Sequence, residues 1–179
     1  GTARALQISP ICGAFAALGG AARAQASPIT TCGQTLTAGT WELLEDLDCS
    51  LYGRDDANLY GLRVGADNVT IEGNGFRLIA PDSSRAISSE GFRNVTVRNL
   101  TVDGWCNGVG IYIEGGAHGP ADPGHVLDNI QAKGRSYGVH IRNTGKVQIR
   151  GLTTDSASTA GLYLQNITQS DASPLVLRD

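Results

Sequence analysis

Methionine is absent from the 179 residues, aromatics make up only 6%, and neither charge sign dominates: 14 Lys and Arg stand against 17 Asp and Glu, a net charge of −3. So few large rings fit a thin-walled architecture better than a helical bundle. The charge balance leaves no basic field to recruit nucleic acid, and no basic patch with interleaved aromatics occurs. There is no CxxC pair and no Cys/His cluster with zinc spacing. No cofactor is expected. What is plentiful is glycine, with 24 residues, the mark of a chain that turns often. The length gives room for one ordinary domain with a sizeable core.

The first 26 residues differ from the rest. They carry Arg4 and Arg23 but no acid, run apolar or small from Ile8 to Ala22, and close on Ala24-Gln25-Ala26. That is the pattern of a secretory signal cleaved after Ala26, with an apolar run shorter than the ~20 residues a membrane span needs. The chain opens without Met, so its start is expected upstream. Residues 1–26 are therefore read as a signal peptide, 27–60 as an N-terminal cap with a first irregular coil, and 61–179 as regular coils. After cleavage 12 basic residues face 17 acids, a charge near −5, and no membrane insertion is expected. Export places the thiols in an oxidising space, secreted or periplasmic. Cys12 leaves with the signal. A Cys32–Cys49 bridge would close a short loop around Thr35 to Leu47, and Cys106 is left over as a buried thiol.

Self-similarity is the strongest signal. One block recurs as Asn68-Val-Thr-Ile-Glu72, Asn94-Val-Thr-Val-Arg98, His125-Val-Leu-Asp128 and Lys146-Val-Gln-Ile-Arg150. A second recurs as Gly61-Leu-Arg-Val64, Ala86-Ile-Ser-Ser89, Gly110-Ile-Tyr-Ile113, Gly138-Val-His-Ile141 and Gly161-Leu-Tyr-Leu164. A third segment follows as Leu100-Thr-Val-Asp103, Ile130-Gln-Ala-Lys133 and Leu152-Thr-Thr-Asp155, giving a period of about 22 to 30 residues. Each block alternates apolar and polar, which is strand periodicity, and Gly or Asn punctuates the junctions. Strands this short bury nothing alone. Stacked, they make a prism with a continuous core, an all-β right-handed parallel β-helix with three short strands per coil. Outward columns should then avoid like charges. One reads Glu72, Arg98, Asp128, Arg150 and another Arg77, Asp103, Lys133, Asp155, both alternating in sign; Glu114 meets Arg142 likewise. The Asn residues 68, 94, 99, 143 and 166 suit left-handed turn positions. Four of them (68, 94, 99, 166) form glycosylation sequons, with nothing to indicate a eukaryotic secretory route. Ser173-Pro-Leu-Val-Leu-Arg178 reads as the start of another first block, Leu175 and Leu177 inward, so further coils are expected beyond it.

The stretch Thr31 to Ser50, followed by the Asn-Val-Thr-Ile repeats, resembles the opening of secreted parallel β-helix proteins of the pectin-lyase-like superfamily, including NosD-type repeat proteins. The resemblance covers residues 31 to 179. It implies that the first segment caps the solenoid, and it leaves function open among lyases, hydrolases, epimerases, adhesive proteins and accessory factors.

Two groups of residues carry candidate chemistry. The long turn Glu114 to Gly124, leading to His125, holds two of the three histidines plus Asp122. His118 or His125 could abstract a proton beside a uronate carboxylate with Asp122 orienting it. Resemblance to certain uronate epimerases, which carry Asp-Pro closely followed by His, points the same way, although Gly124 interrupts the match. A metal held by these three would sit in one flexible loop, and no metal site is assigned; a Gly/Pro surface turn is the plainer reading. The second group is Tyr112, His140 and Tyr163, outward in consecutive second blocks behind Arg63 and Ser88, with Glu114 and Arg142 alongside. Stacked rings on a strand face dock sugars, or else simply stabilise the sheet. Superfamily lyases use calcium-binding acids with an Arg or Lys base. Asp103, Lys133 and Asp155 resemble that set, but a Lys between the acids disfavours a shared cation. The expectation is a monomeric, exported protein presenting a strand face to a polysaccharide or cell-surface glycan. A uronan lyase or C5-epimerase and a structural adhesin or stalk spacer are the alternatives.

Overall fold

The computed structural model describes residues 25–52, 60–104, 107–172 and 175–178, from 169 onward as backbone alone. Residues 1–24, on which the signal-peptide expectation and Cys12 fall, and Cys106 lie outside the described residues. Among those described there is no helix. Thus none is long and apolar enough to cross a membrane.

The described residues form fourteen strands in one parallel sheet wound into a solenoid of about five turns. They are β1 (Ser27–Ile29), β2 (Gln34–Leu36), β3 (Gly39–Leu43), β4 (Leu47–Asp48), β5 (Tyr60–Val64), β6 (Val69–Glu72), β7 (Arg77–Ile79), β8 (Ser84–Glu90), β9 (Thr96–Asp103), β10 (Gly108–Glu114), β11 (His125–Lys133), β12 (Tyr137–Asp155), β13 (Ala160–Ala172) and β14 (Leu175–Arg178). Short separate strands give way to longer ribbons toward the C-terminus: β12 carries all three blocks through two bends without a break. The bends are made by stacked residues in left-handed backbone. Asn74, Asn99, Asn129 and Gly151 have φ of 52° to 61°, and Gly91, Gly115, Asn143 and Asn166 have φ of 53° to 82°. Asn adopts this conformation at little cost, and its side chain can then bond the next coil. Asn94 donates to Asn68 Oδ1 at 3.1 Å, Asn129 to Asn99 Oδ1 at 3.0 Å and Asn166 to Asn143 Oδ1 at 2.9 Å. The amide nitrogens of Asn94 and Asn166 that a glycan would occupy are thus engaged in holding coils together.

The core is a set of inward columns. Leu62, Ile87, Ile111, Val139 and Leu162 stack in register on the second block, and Ile71, Val97, Leu127 and Ile149 on the first. All but the half-buried Leu162 are sealed from solvent. Burying each such side chain contributes ~1.5–3 kcal/mol, and no single coil could do it. The glycines opening the second blocks have a steric reason. A Cβ on Gly138 would lie 2.6 Å from the Gly161 carbonyl oxygen and 2.8 Å from Thr154 Cγ2.

The first charge ladder is in place, with Glu72, Arg98, Asp128 and Arg150 adjacent in sequence of coils. The second needs correcting. Arg77 faces Thr101, and it is Ile79 that lies beside Asp103. The bend between β6 and β7 is two residues longer than the single-Asn bend at Asn99, because Phe76 N–H closes a turn on the Gly73 carbonyl at 2.8 Å. Arg77 instead pairs with Asp46 at 3.0 Å and reaches Asp103 only diagonally, at 3.8 Å. The chain end also needs correcting. β14 is a third segment, Leu175 beside Leu152 and Leu177 beside Thr154, while the next first block is Ser170 to Ala172 inside β13. That block is polar and lacks the Val-x-Ile pattern, so the apolar alternation after it is easily taken for its place.

Candidate functional site

Three outward columns define the second-block face. The middle one and its C-terminal flank stand two residues apart, as strand alternation requires, and the N-terminal flank stands three residues before the middle one. The middle column is Arg63, Ser88, Tyr112, His140 and Tyr163, in the order expected from the repeats. A flanking column, Tyr60, Arg85, Val109, Tyr137 and Ala160, lies just N-terminal to it. The other flank is Glu90, Glu114, Arg142 and Gln165.

The rings do not form a flat three-ring platform. Tyr112 is 2% exposed. The Arg85 guanidinium lies over its face at 3.6 Å from the ring centroid, and Arg142 approaches at 5.6 Å. Such stacking on a ring face is worth ~0.5–2 kcal/mol, and it closes Tyr112 to any ligand. Successive rings also meet edge to face: Tyr112–His140 at 5.2 Å and 88°, His140–Tyr163 at 4.8 Å and 86°. Tyr137 joins them, 5.2 Å from His140 and 5.7 Å from Tyr163. The surface on offer is therefore a cluster of Tyr137, His140 and Tyr163, with Tyr163 the most open at 39%.

Glu114 organises the polar flank. It accepts from Arg142 at 2.8 Å, from Asn143 at 3.3 Å and from the Tyr112 hydroxyl. The Arg142 and Tyr112 bonds hold its carboxyl well below the ordinary range, at about 2. Burial and the Glu114 bond raise the Tyr112 phenol in turn. His140 is lowered by burial and by the nearby Arg142 and Arg85 charges, which favours its neutral form. Arg85 and Glu90 are paired on the same face. The sequence reading missed Arg85 and Tyr137. The signal was available, since each stands immediately before its coil's Gly or Ala column.

The long turn brings its two histidines together and leaves its acid apart. The His118 and His125 rings meet edge to face at 4.6 Å. His125 is fully buried in the core column between Val95 and Val147. Asp122 accepts from Gly119 N–H at 2.8 Å and faces Arg93 at 3.7 Å, so it orients neither imidazole. Val95 N–H donates to His125 Nδ1 at 3.3 Å, which puts the proton on Nε2. Among the described residues no group of three or more His, Cys, Asp or Glu is placed to hold a metal ion.

On the third-block face, Gln131, Lys133, Thr153 and Asp155 line an open polar hollow of about 280 Å³. Lys133 sits in register between Asp103 and Asp155, as an alternating column requires. At the N-terminal end a disulfide joins Cys32 and Cys49 across a separation of 17 residues.

The fold and this face define an all-β parallel solenoid with one partly open aromatic cluster. No family model, curated protein or solved structure matches the chain.

Proposed function

We propose that this chain is an exported parallel β-helix protein of the pectin-lyase-like kind that holds a polysaccharide along its second-block strand face. The observation that supports it is the clustering of Tyr137, His140 and Tyr163, with ring centroids 4.8 to 5.7 Å apart, beside the charged Glu114–Arg142 pair. Partly exposed tyrosine rings offer apolar faces to the C–H surfaces of a sugar. A carboxylate and a guanidinium at the rim offer an acceptor and donors to its hydroxyls or to a uronate. All of these side chains stand on rigid strands, which keeps the ordering cost of binding low. The Cys32–Cys49 disulfide fits an oxidising compartment. Tyr112 belongs to the support beneath the cluster and is not a contact residue. A uronan lyase or C5-epimerase would need His125 to meet substrate, and its burial supplies no observation in favour.

Electrophoresis through gels containing neutral or uronate polysaccharides tests the reading. The protein should be retarded by at least one of them, and Tyr163→Ala should migrate as in a blank gel. Free migration in every gel would leave a stalk or spacer as the role. Equal retardation of Tyr163→Ala would move binding to another face.

A further inference from the structure

The His118–His125 pair is not used by the proposed glycan face, and its hydrogen bonds fix both rings in one protonation state. Thr144 Oγ1 donates its single proton to the Gly116 carbonyl at 3.2 Å, so at 3.1 Å it must accept from His118 Nε2–H. That leaves His118 Nδ1 without a proton, buried and without a partner. In His125, Nδ1 accepts from Val95 N–H at 3.3 Å, and Nε2 is buried with no acceptor in hydrogen-bonding geometry. A second proton therefore has no place on either ring. On His125 it would point at a backbone N–H, and on His118 it would sit on a buried nitrogen with no acceptor in hydrogen-bonding geometry. Two imidazolium rings 4.6 Å apart would also repel.

We propose that these two histidines make segment 115–125 an acid-released clasp, docked on the solenoid while both rings are neutral and freed when they take up protons. The surrounding charges are mixed. His118 is faced by Asp122 and Asp67, which favour its cation, and by Lys146 and Arg93, which oppose it, with burial the largest influence. His125 is faced by His118 alone among titratable groups; burial lowers it to about 4, against a smaller opposing effect of the Gly115 backbone. Other contacts anchor the segment without sensing acid in this range. Lys146 Nζ donates to the Pro120 and Asp122 carbonyls at 2.8 and 3.1 Å, and Gly124 N–H to Asn94 Oδ1 at 3.3 Å. The release is thus a local opening on an intact solenoid.

The sign follows from linkage. The open segment carries ordinary histidines and binds protons that the docked one refuses, so docking weakens as pH falls through about 6.5 and stops weakening below about 4. For His125 alone the opening equilibrium rises about 30-fold between pH 7.5 and pH 5.

Hydrogen exchange on the intact protein at pH 7.5 and 5.0, corrected for the intrinsic rate, reads the opening directly. Amides of 115–126 should lose protection about 30-fold or more at pH 5, while those of the histidine-free stretch 149–155 keep theirs. His125→Asn retains an acceptor for Val95 N–H and has no proton to gain, so it should hold the segment docked at pH 5. Equal protection at both pH values, or the same loss in a His118→Asn/His125→Asn protein, overturns the proposal. Should His125→Asn not fold, ring carbon NMR of the wild-type protein decides. A His125 midpoint well below 6 supports the clasp, and one near 6.5 refutes it.

Discussion

Replacing Gly138 by alanine tests the stacking of the coils at its tightest point. The backbone there is ordinary, so the new methyl brings no dihedral strain, but it would lie 2.6 Å from the Gly161 carbonyl oxygen, 2.8 Å from Thr154 Cγ2 and 3.3 Å from Ala132 Cβ. The first of these is backbone of the next coil, which cannot rotate aside as a side chain can. Forcing a methyl into a filled core costs ~1–3 kcal/mol. Alanine recovers ~0.4–1 kcal/mol by restricting the unfolded chain, so a net loss of about 1–2 kcal/mol is expected. Gly119→Ala is the matched control. Its backbone is also ordinary and its nearest neighbour is Asp122 Oδ2 at 3.6 Å, so its stability should stay within ~0.5 kcal/mol of wild type. Urea unfolding followed by far-UV circular dichroism reads both as midpoint shifts. A Gly138→Ala protein as stable as wild type would mean that Gly138 and Gly161 are not neighbours, and the register would have to be redrawn.

Three further outcomes follow from named contacts. Cys32→Ser/Cys49→Ser opens a closed loop of 17 residues and should lower stability by about 3 kcal/mol on the chain-entropy model, read as a urea midpoint under non-reducing conditions. Asp128→Lys puts a third cation between Arg98 and Arg150 and should cost about 1 kcal/mol, shrinking in 1 M salt; a loss unaffected by salt would point to a packing cause. Glu114→Gln should cost about 1–2 kcal/mol at pH 7, after discounting for its partial exposure. Because the folded carboxyl titrates at about 2 against an ordinary 4.5, that stabilisation is present above pH 4.5 and lost as pH falls toward 2, so the variant and wild type should converge only as pH falls from 4.5 to about 2.

The repeat made the fold legible because a solenoid writes its tertiary contacts into one dimension: the neighbour of Ile111 is whatever occupies the same place one coil on. The alternation of Glu72, Arg98, Asp128 and Arg150 could be checked by sign alone. It failed where bend length changed, as at Arg77, since periodicity does not count the residues inside a turn. It failed again at Ser170 to Ala172, where a coil keeps its place in the sheet without keeping its apolar pattern. The candidate site was legible as a column and not as a surface. That Tyr112, His140 and Tyr163 share a face follows from register. That Arg85 lies across Tyr112 depends on a long side chain reaching from the neighbouring column, which no spacing rule contains. His125 was legible as an inward position, but its ring contact with His118 depends on how a ten-residue turn folds back.

The most direct test of the central claim is to map a bound oligosaccharide on the protein by NMR. Fragments of whichever polysaccharide retards the protein should perturb the ring signals of Tyr137, His140 and Tyr163 together, with smaller shifts at Arg142, while the Gln131 to Asp155 hollow and His125 stay unchanged. Perturbations confined to the third-block hollow, or no binding by any fragment, would contradict the account.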